Sequence, residues 1–191
     1  MVTTILAYLV IGVFFATEGR ARKGQQAHKL DRGEFDQRST IFIGVALFIT
    51  SVGLLLAPVL NHFDLEDITF ATVVGWVGLA IAVSGIALRL WANRTLGQFY
   101  TRTLLVTENQ PVVRQGPYRL IRHPGYLGSI LMWAGAGLAT TNWVAVTVAV
   151  VVMFAAYVYR IQAEEAMLMT ASNKDYGDYT AHTWKLIPFV Y

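Results

Sequence analysis

The residues best suited to chemistry lie in a polar run, residues 116–126, between two strongly apolar segments. The run contains two prolines, Pro117 and Pro124. A proline pushes the preceding residue towards an extended conformation and can itself begin a helix, because the N–H that it lacks would be unpaired there. We therefore expect Gly116 and His123 to be extended, each followed by a helical segment. This arrangement brings together four side chains able to bind a ligand or catalyse: Tyr118, Arg122, His123 and Tyr126.

A second cluster, Arg160 to Glu165, follows an apolar segment further along the chain. Arg160 and Glu164 are four residues apart and share one face of a helix, so they can pair with each other or serve a ligand. The two carboxylates Glu164 and Glu165 lie near the C-terminal end of that helix and oppose its macrodipole. They need compensation, either from a cationic ligand or from nearby arginines.

Metal chemistry is not indicated by these residues. His123 has no His-Glu-x-x-His spacing and no carboxylate at a ligand interval, and the chain has no cysteine. The sequence also lacks a Gly-x-Ser-x-Gly nucleophile elbow, a Gly-x-Gly-x-x-Gly loop and a phosphate-binding loop. We therefore predict a site without a metal, where loops and helix ends hold any nucleotide-like cofactor. Taken alone, Tyr118 and Tyr126 have a simpler interpretation as aromatic residues at a membrane surface.

The composition indicates a membrane protein. Hydrophobic residues make up 55% of the 191 residues and charged residues 14%, whereas soluble domains average about 45–50% and about 25%. The formal net charge of +3 comes from basic residues in loops between apolar segments, not from a clustered basic face. We therefore expect contact with membrane lipids and exclude a nucleic-acid partner.

The hydropathy pattern predicts an all-α, polytopic membrane protein that forms a single domain, residues 1–191. Five apolar segments are predicted to be transmembrane helices: about 3–16, 40–60, 70–91, 124–139 and 143–160. The last two form a helical hairpin, and the first of this pair is short for roughly 30 Å of hydrocarbon, so it must tilt or be sheltered by its neighbours. The tail after residue 160 is too polar for a sixth crossing. Small residues on the third helix would let another helix approach closely: Gly75, Gly78, Ser84 and Gly85.

The distribution of basic residues predicts the orientation. All fifteen lysines and arginines lie in the first loop, at the end of the third helix, in the long polar stretch or in the tail. The connectors at 61–69 and 140–142 contain none. With five crossings, every basic segment falls on one side of the membrane, which the positive-inside rule makes cytoplasmic. We therefore expect the N-terminus outside, and the long polar stretches and the C-terminus in the cytoplasm.

The two polar clusters resemble the isoprenylcysteine carboxyl methyltransferase family, which belongs with the membrane phospholipid methyltransferases. The resemblance covers about residues 90–188, so this part would be the catalytic half of the chain. It is carried by Gly-Pro-Tyr-Arg-Leu-Ile-Arg-His-Pro-Gly-Tyr-Leu-Gly at 116–128 and by Val112, Val113, Arg160, Glu164, Glu165, Tyr176, Tyr179 and Pro188.

This resemblance implies an integral membrane enzyme that binds S-adenosylmethionine in a cytoplasmic pocket formed by the 92–123 stretch and the C-terminal tail. The enzyme would methylate a lipid or lipid-modified substrate that enters from the bilayer, leaving S-adenosylhomocysteine. The implied cofactor-binding residues are Gln110, Pro111, Val112, Val113, Gly116, Tyr118, His123, Pro124, Gly125, Tyr126 and Glu164. The family usually has His and Leu at the first and third of these positions, a difference that leaves a backbone role intact. The implied catalytic residues are Arg160, which would hold a substrate carboxylate, Arg122 and Glu165.

The chemistry that the resemblance implies is compatible with these residue types. Methyl transfer from a sulfonium is an in-line displacement that needs alignment and exclusion of water rather than a metal, and a carboxylate acceptor needs no base. We expect carboxyl O-methylation of an isoprenylcysteine-type substrate. N-methylation of a phospholipid amine is the alternative: it would need a base, either His123 or Glu165, and Arg160 would repel the protonated amine. A non-catalytic membrane scaffold is a further alternative, which predicts no cofactor binding.

Overall fold

The computed structural model describes residues 1–20, 36, 38–63, 70–97, 112–171 and 173–191. Within these residues the fold is all-helical, as predicted, and an isolated bridge joins Ile121 to Trp184. The helices are α1 Val2–Arg20, α2 Ser39–His62, α3 Ala71–Leu96, a 3₁₀ helix Gly116–Arg119, α4 Pro124–Ala139, α5 Trp143–Ala171 and α6 Asn173–Ala181.

Three of the described helices are long and apolar enough to cross a membrane: Ser39–His62, Ala71–Leu96 and Trp143–Thr170. A shorter apolar segment occupies Val2–Glu18 of α1, and α4 has 16 residues. Large apolar side chains point outward from these helices; Phe48, for example, is 70% exposed. Because lipid is the solvent that such surfaces need, the chain is an integral membrane protein. The number of five crossings stays a prediction.

Three helices extend at least four residues beyond the predicted membrane segments, and α1 does so by four, to Arg20. α3 continues to Leu96 and ends at Gly97, whose φ of 56° is left-handed. α5 continues from Trp143 to Ala171 without an interrupting glycine or proline. Arginine, glutamate and glutamine are good helix formers, so a change from apolar to polar residues does not by itself end a helix. The Arg160 to Glu165 cluster therefore lies within α5.

The short helix α4 lies in the interior, where α3 and α5 pack against it. α3 and α4 run antiparallel and meet at two pairs of glycines. A Cβ atom at Gly128 would lie 2.6 Å from the carbonyl oxygen of Gly85, and one at Gly135 would lie 2.5 Å from that of Gly78. The two backbones are therefore in direct contact. Neighbouring helices shelter α4, as expected for a helix of its length.

Not all the small residues predicted to line a helix interface do so. Gly78 and Gly85 contact α4, and Gly75 packs against Thr3 of α1, whose Oγ1 would lie 2.8 Å from an added Cβ. The prediction for Ser84 is wrong: this residue is exposed, and its hydroxyl donates to the carbonyl of Ala80 in its own helix at 2.8 Å. Consecutive residues lie about 100° apart around a helix, which turns Ser84 away when Gly85 faces inward.

The predicted hairpin between α4 and α5 is present, and its turn is tied to two other helices. Asn142, which is fully buried, donates to the side-chain oxygen of Asn61 at 2.7 Å, and Asn61 donates to the carbonyl of Thr140 at 2.9 Å. Thr3 donates to the carbonyl of Ala139 at 2.9 Å. The start of α1 and the end of α2 therefore lie beside this turn. Both polar clusters lie at the opposite ends of α4 and α5.

Candidate functional site

The polar run begins with the 3₁₀ helix and leads into α4, and a proline lies in the first turn of each, as predicted. The prediction that Gly116 is extended is wrong, since its φ of 55° is left-handed. A Cβ atom at Gly116 would lie 3.0 Å from Oγ1 of Thr95 in α3, so the chain turns tightly against α3 where glycine is favoured. His123 has φ −123° and ψ 54° and is not helical.

The C-terminal tail pairs with the end of this run through the backbone. Trp184 N–H donates to the carbonyl of Leu120 at 3.0 Å, and the carbonyl of Trp184 accepts from Arg122 N–H at 2.8 Å. The carbonyl of Lys185 accepts from His123 N–H at 3.1 Å. The tail therefore crosses the N-terminal end of α4. It supplies hydrogen-bond partners to the backbone groups of the turn before α4, which have no partner within a helix.

Two tyrosines of α6 lie against the run. The hydroxyl of Tyr179 donates to the carbonyl of Tyr118 at 2.7 Å, and burial raises the pKa of Tyr179 to about 12. Tyr176 is 3% exposed, and its hydroxyl has no hydrogen-bond partner among the described residues. Burial, followed by the negative charges of Glu165 and Glu164, raises the pKa of Tyr176 well above its ordinary value. Both phenols are therefore neutral, and the Tyr176 hydroxyl is an unused donor.

Glu165 connects the two arms of the α4–α5 hairpin. Its Oε1 accepts from Nε of Arg122 at 2.8 Å and lies 3.3 Å from Nε2 of His123. Its Oε2 lies 3.4 Å from Nζ of Lys185 in the tail. Arg122 also donates to the carbonyl of Thr183. The sequence left open whether arginines or a cationic ligand offset the negative charge of Glu165. In the structure the side chains of Arg122 and Lys185 offset it.

Tyr126 lies between Glu164 and Arg160. Its hydroxyl donates to Oε2 of Glu164 at 2.5 Å and accepts from Nε of Arg160 at 3.4 Å. Its ring stacks on His123, with centroids 5.5 Å apart, and on Tyr157, with centroids 5.0 Å apart. The hydroxyl of Tyr126 therefore links the guanidinium and the carboxylate within a stack of aromatic rings.

Arg160 forms a buried ion pair that the sequence analysis missed. Its Nη1 lies 2.8 Å from Oδ1 of Asp36, just before α2, and also donates to Ser39 at 2.8 Å and Thr40 at 3.1 Å. Burial alone would raise the pKa of Asp36, but hydrogen bonds from Thr40 and Ser39 and the charge of Arg160 lower it. The available signal was an acidic residue close before Ser-Thr and an apolar run, a pattern typical of a helix start.

Arg89 is a second residue whose role the sequence analysis missed. It lies in α3, and its Nη2 pairs with Oε2 of Glu18 in α1 at 2.8 Å. Its Nη1 donates to the carbonyl of Gly125 at 3.0 Å and to the hydroxyl of Ser129 at 2.6 Å, both in α4. A charged residue in an otherwise apolar helix is the signal that could have identified it. Arg89 fixes the first turn of α4 against α1 and α3.

Of the remaining predicted residues, three lie within the described part of the chain and two do not. Val112 and Val113 are half-buried and precede the 3₁₀ helix, and Pro124 is buried at the start of α4. Gln110 and Pro111 lie outside the described residues. The residues that the structure gathers at this end of the hairpin are Tyr118, Arg122, His123, Pro124, Gly125, Tyr126, Arg160, Glu164 and Glu165.

Two kinds of ligand suit the chemistry of this cluster. The carboxylate of Glu164 beside stacked aromatic rings favours a cationic group. A guanidinium such as that of Arg160 favours a carboxylate. Within the described parts of the chain, no group of three or more His, Cys, Asp or Glu side chains could hold a metal ion.

The sequence matches a known family and several of its members. The family model described as "Isoprenylcysteine carboxyl methyltransferase (ICMT) family" matches residues 76–170. Protein-S-isoprenylcysteine O-methyltransferase A of Arabidopsis thaliana is 30% identical over 120 residues, which are 60% of this chain and 61% of that protein. A probable protein-S-isoprenylcysteine O-methyltransferase of Oryza sativa subsp. indica is 27% identical over 119 residues, which are 61% of this chain and 62% of that protein.

A solved structure shares the fold. The eukaryotic intramembrane Ras methyltransferase ICMT aligns with a TM-score of 0.59 and 22% sequence identity, over 80% of this chain and 53% of that chain. The chain thus spans about three fifths of the two plant proteins and about half of the solved one. The matched residues 76–170 include both arms of the hairpin, which meet where Tyr126 contacts Glu164. Sequence and fold agree, and the chain belongs to the isoprenylcysteine carboxyl methyltransferase family.

Proposed function

We propose that this protein is an S-adenosylmethionine-dependent methyltransferase whose acceptor is a lipid-borne carboxylate of the isoprenylcysteine type. One observation carries the proposal: the two clusters that resemble the family's motifs, far apart in the sequence, are in contact. Tyr126 reaches Glu164 at 2.5 Å, and Arg122 reaches Glu165 at 2.8 Å. A scaffold would need only packed helices here, whereas this end of the hairpin concentrates charged and aromatic groups.

We further propose a single domain, residues 1–191, with five membrane crossings and with this end of the hairpin in the cytoplasm. The N-terminus would then lie outside. The start of α1 lies beside the α4–α5 turn, through the 2.9 Å hydrogen bond from Thr3 to Ala139, and therefore at the opposite end of the bundle from Arg160. In the described parts of the chain the basic residues lie towards the Arg160 end, which agrees with the positive-inside rule.

The residues present fit the proposed cofactor. S-adenosylmethionine carries a sulfonium and an ammonium, for which the carboxylate of Glu164 provides a negative charge. The unused hydroxyl of Tyr176 could donate to its carboxylate or hydroxyl groups. The described residues that would hold it are Val112, Val113, Gly116, Tyr118, His123, Pro124, Gly125, Tyr126 and Glu164. When bound, it supplies an electrophilic methyl group, whose transfer to a carboxylate oxygen leaves S-adenosylhomocysteine and releases no proton.

The protein's own residues would act by alignment rather than by acid–base chemistry. Arg160 would orient the acceptor carboxylate, and Tyr126 would fix Arg160 relative to the cofactor side of the site. Arg122 and Glu165 would hold the two arms of the hairpin and the tail together, which excludes water. Alignment of this kind can contribute up to roughly 7–11 kcal/mol to lowering a barrier.

One observation favours a second candidate, methyl transfer to a phospholipid amine. Asp36 offsets the charge of Arg160 at 2.8 Å, which reduces the repulsion that Arg160 would exert on a protonated amine. His123 and Glu165, 3.3 Å apart, are the candidate bases for the proton that such an amine must lose. The nature of the acceptor is therefore the point to test.

The test uses the purified protein in detergent with labelled S-adenosylmethionine and three acceptors: a prenylcysteine acid, a fatty acid and an aminophospholipid. We expect label in the prenylcysteine methyl ester and its loss in Arg160→Ala. Transfer to the aminophospholipid that survives Arg160→Ala, without transfer to the acids, would favour the second candidate. Calorimetry should detect binding of S-adenosylhomocysteine that Glu164→Ala weakens; absence of binding to the wild-type protein would favour a scaffold.

A further inference from the structure

We infer that Asp36 is an internal competitor for the acceptor: its carboxylate shares Arg160 with the acceptor carboxylate and so reduces the preference of the site for an acid over the neutral methyl ester. This inference rests on the proposed function and adds a residue to it. Asp36 lies outside residues 76–170, which the family model matches. It comes from the segment before α2, whereas the hairpin supplies the rest of the cluster.

Asp36 is held in place by several donors. Oδ1 of Asp36 accepts from Nη1 of Arg160 at 2.8 Å, from Oγ1 of Thr40 at 2.7 Å and from Oγ of Ser39 at 3.0 Å. Its side chain is 1% exposed and that of Arg160 is 5% exposed. Asp36 also lies at the N-terminal end of α2, where the helix macrodipole favours a negative charge. Its carboxylate is therefore a fixed part of the surroundings of Arg160.

Arg160 already faces negative charge before an acceptor binds, from Asp36 in direct contact and from Glu164 across the hydroxyl of Tyr126. Arg160 carries one positive charge, and Asp36 supplies one negative charge in direct contact. An acceptor carboxylate that reaches Arg160 adds a further negative charge beside the same guanidinium, in surroundings that exclude water. Two carboxylates that share one site repel each other, and the penalty corresponds to about a factor of ten or more. A neutral ester in the same place meets no such penalty.

This arrangement has a consequence for reactivity. A carboxylate that a cation neutralises completely binds tightly but is a poorer nucleophile, because the cation stabilises its charge more in the ground state than in the transition state, where that charge is being lost. By sharing Arg160, Asp36 leaves the acceptor carboxylate oriented but only partly neutralised. It also keeps the affinities for acid and ester close to each other. Asp36 is thus a specificity-determining residue, acting on the acceptor through Arg160.

The test compares two ligands and three proteins. Dissociation constants of an S-prenylcysteine acid and its methyl ester are measured by calorimetry in detergent, with S-adenosylhomocysteine present to prevent turnover. We expect Asp36→Asn to bind the acid about tenfold more tightly than the wild type and the ester within about twofold. Asp178→Asn is the matched control, because Asp178 pairs with Arg114 at 2.9 Å on the exposed surface; it should change neither constant. If the role of Asp36 were purely structural, Asp36→Asn would bind both the acid and the ester more weakly.

A second variant decides the matter if Asp36→Asn does not fold. Thr40→Val removes a hydroxyl that donates to Asp36 at 2.7 Å and accepts from Arg160 at 3.1 Å, and it leaves both charges in place. Because it loosens Asp36, it should strengthen acid binding about two- to threefold relative to the ester. An unchanged acid-to-ester ratio in whichever variant folds overturns the inference. A wild-type protein that methylates only amines refutes the proposed function instead.

Discussion

Replacing Arg89 by methionine removes a cation that ties three helices together. Arg89 pairs with Glu18 of α1 at 2.8 Å, and in α4 it donates to the carbonyl of Gly125 and the hydroxyl of Ser129. Methionine keeps an apolar stem and a similar helix propensity, so the substitution isolates the guanidinium. We expect a large loss of stability and a smaller loss of affinity for S-adenosylhomocysteine.

The magnitude follows from the burial of the two partners. Removing one member of a buried ion pair costs about 3–5 kcal/mol in the free energy of unfolding. The Arg89 side chain is 9% exposed, but that of Glu18 is 20% exposed and regains some hydration, so we expect about 3 kcal/mol. Arg89 reaches the residues that would hold the cofactor through the carbonyl of Gly125, so its effect on cofactor affinity should arise there. The loss of that one hydrogen bond, about 1–1.5 kcal/mol, corresponds to roughly tenfold in affinity.

A double-mutant cycle separates the pair from the packing around it. The free energy of unfolding is measured in mixed detergent micelles for Arg89→Met, Glu18→Gln and the double variant, and affinity for S-adenosylhomocysteine is measured by calorimetry. The double variant leaves no unpaired charge, so its cost should fall short of the sum of the single costs by about 1–3 kcal/mol. Arg114→Met is the control, because Arg114 pairs with Asp178 at an exposed site; it should cost at most about 1 kcal/mol.

Two results would refute this reasoning. Single effects that add within about 0.5 kcal/mol would mean that Glu18 and Arg89 do not act as a pair. A folded Arg89→Met protein with the affinity of the wild type for S-adenosylhomocysteine would mean that the Gly125 carbonyl has no part in holding the cofactor.

Three further predictions concern packing, an unpaired hydroxyl and pH. Gly128→Ala should destabilise the protein by about 1–3 kcal/mol, because its Cβ would meet the α3 backbone. Gly44→Ala should not, because an added Cβ there meets no described atom within 4 Å; equal unfolding midpoints for the two variants would contradict this. Tyr176→Phe should leave the free energy of unfolding unchanged or raise it by up to about 1 kcal/mol, since the hydroxyl has no partner in the described part of the chain; a clear loss in thermal unfolding would reveal a partner. The lowered pKa of Asp36 means that its carboxylate adds stability above about pH 4 and loses it as the pH falls further. The difference in unfolding midpoint between wild type and Asp36→Asn should therefore shrink between about pH 5 and pH 3; a constant difference would contradict it.

The parts of the fold that follow from local rules could be predicted from the sequence. The prolines at 117 and 124 mark helix starts because their ring geometry acts within one or two residues. The Arg160 to Glu165 cluster was recognisable because helical spacing fixes which of its side chains share a face. Gly116 departed from the local rule because contact with Thr95 of α3 decides its conformation.

The contacts that could not be predicted join residues far apart in the chain. Asp36 and Arg160 are 124 residues apart, and no spacing rule connects them. The pairing of Trp184 with the end of the polar run uses backbone groups, which every residue carries, so it leaves no side-chain signature. Arg89 was visible as a charge in an apolar helix, but its partners Glu18 and Gly125 depend on how three helices pack.

The glycine pairs between α3 and α4 limit the paths by which an acceptor can arrive. Gly78 and Gly85 bring the backbone of α3 so close to Gly128 and Gly135 that even one methyl group would collide with main-chain atoms. A prenyl or acyl chain is several times wider than that gap. The α3–α4 boundary is therefore closed to lipid at both glycine pairs, and the proposed membrane-borne acceptor would have to approach Arg160 along another side of the bundle.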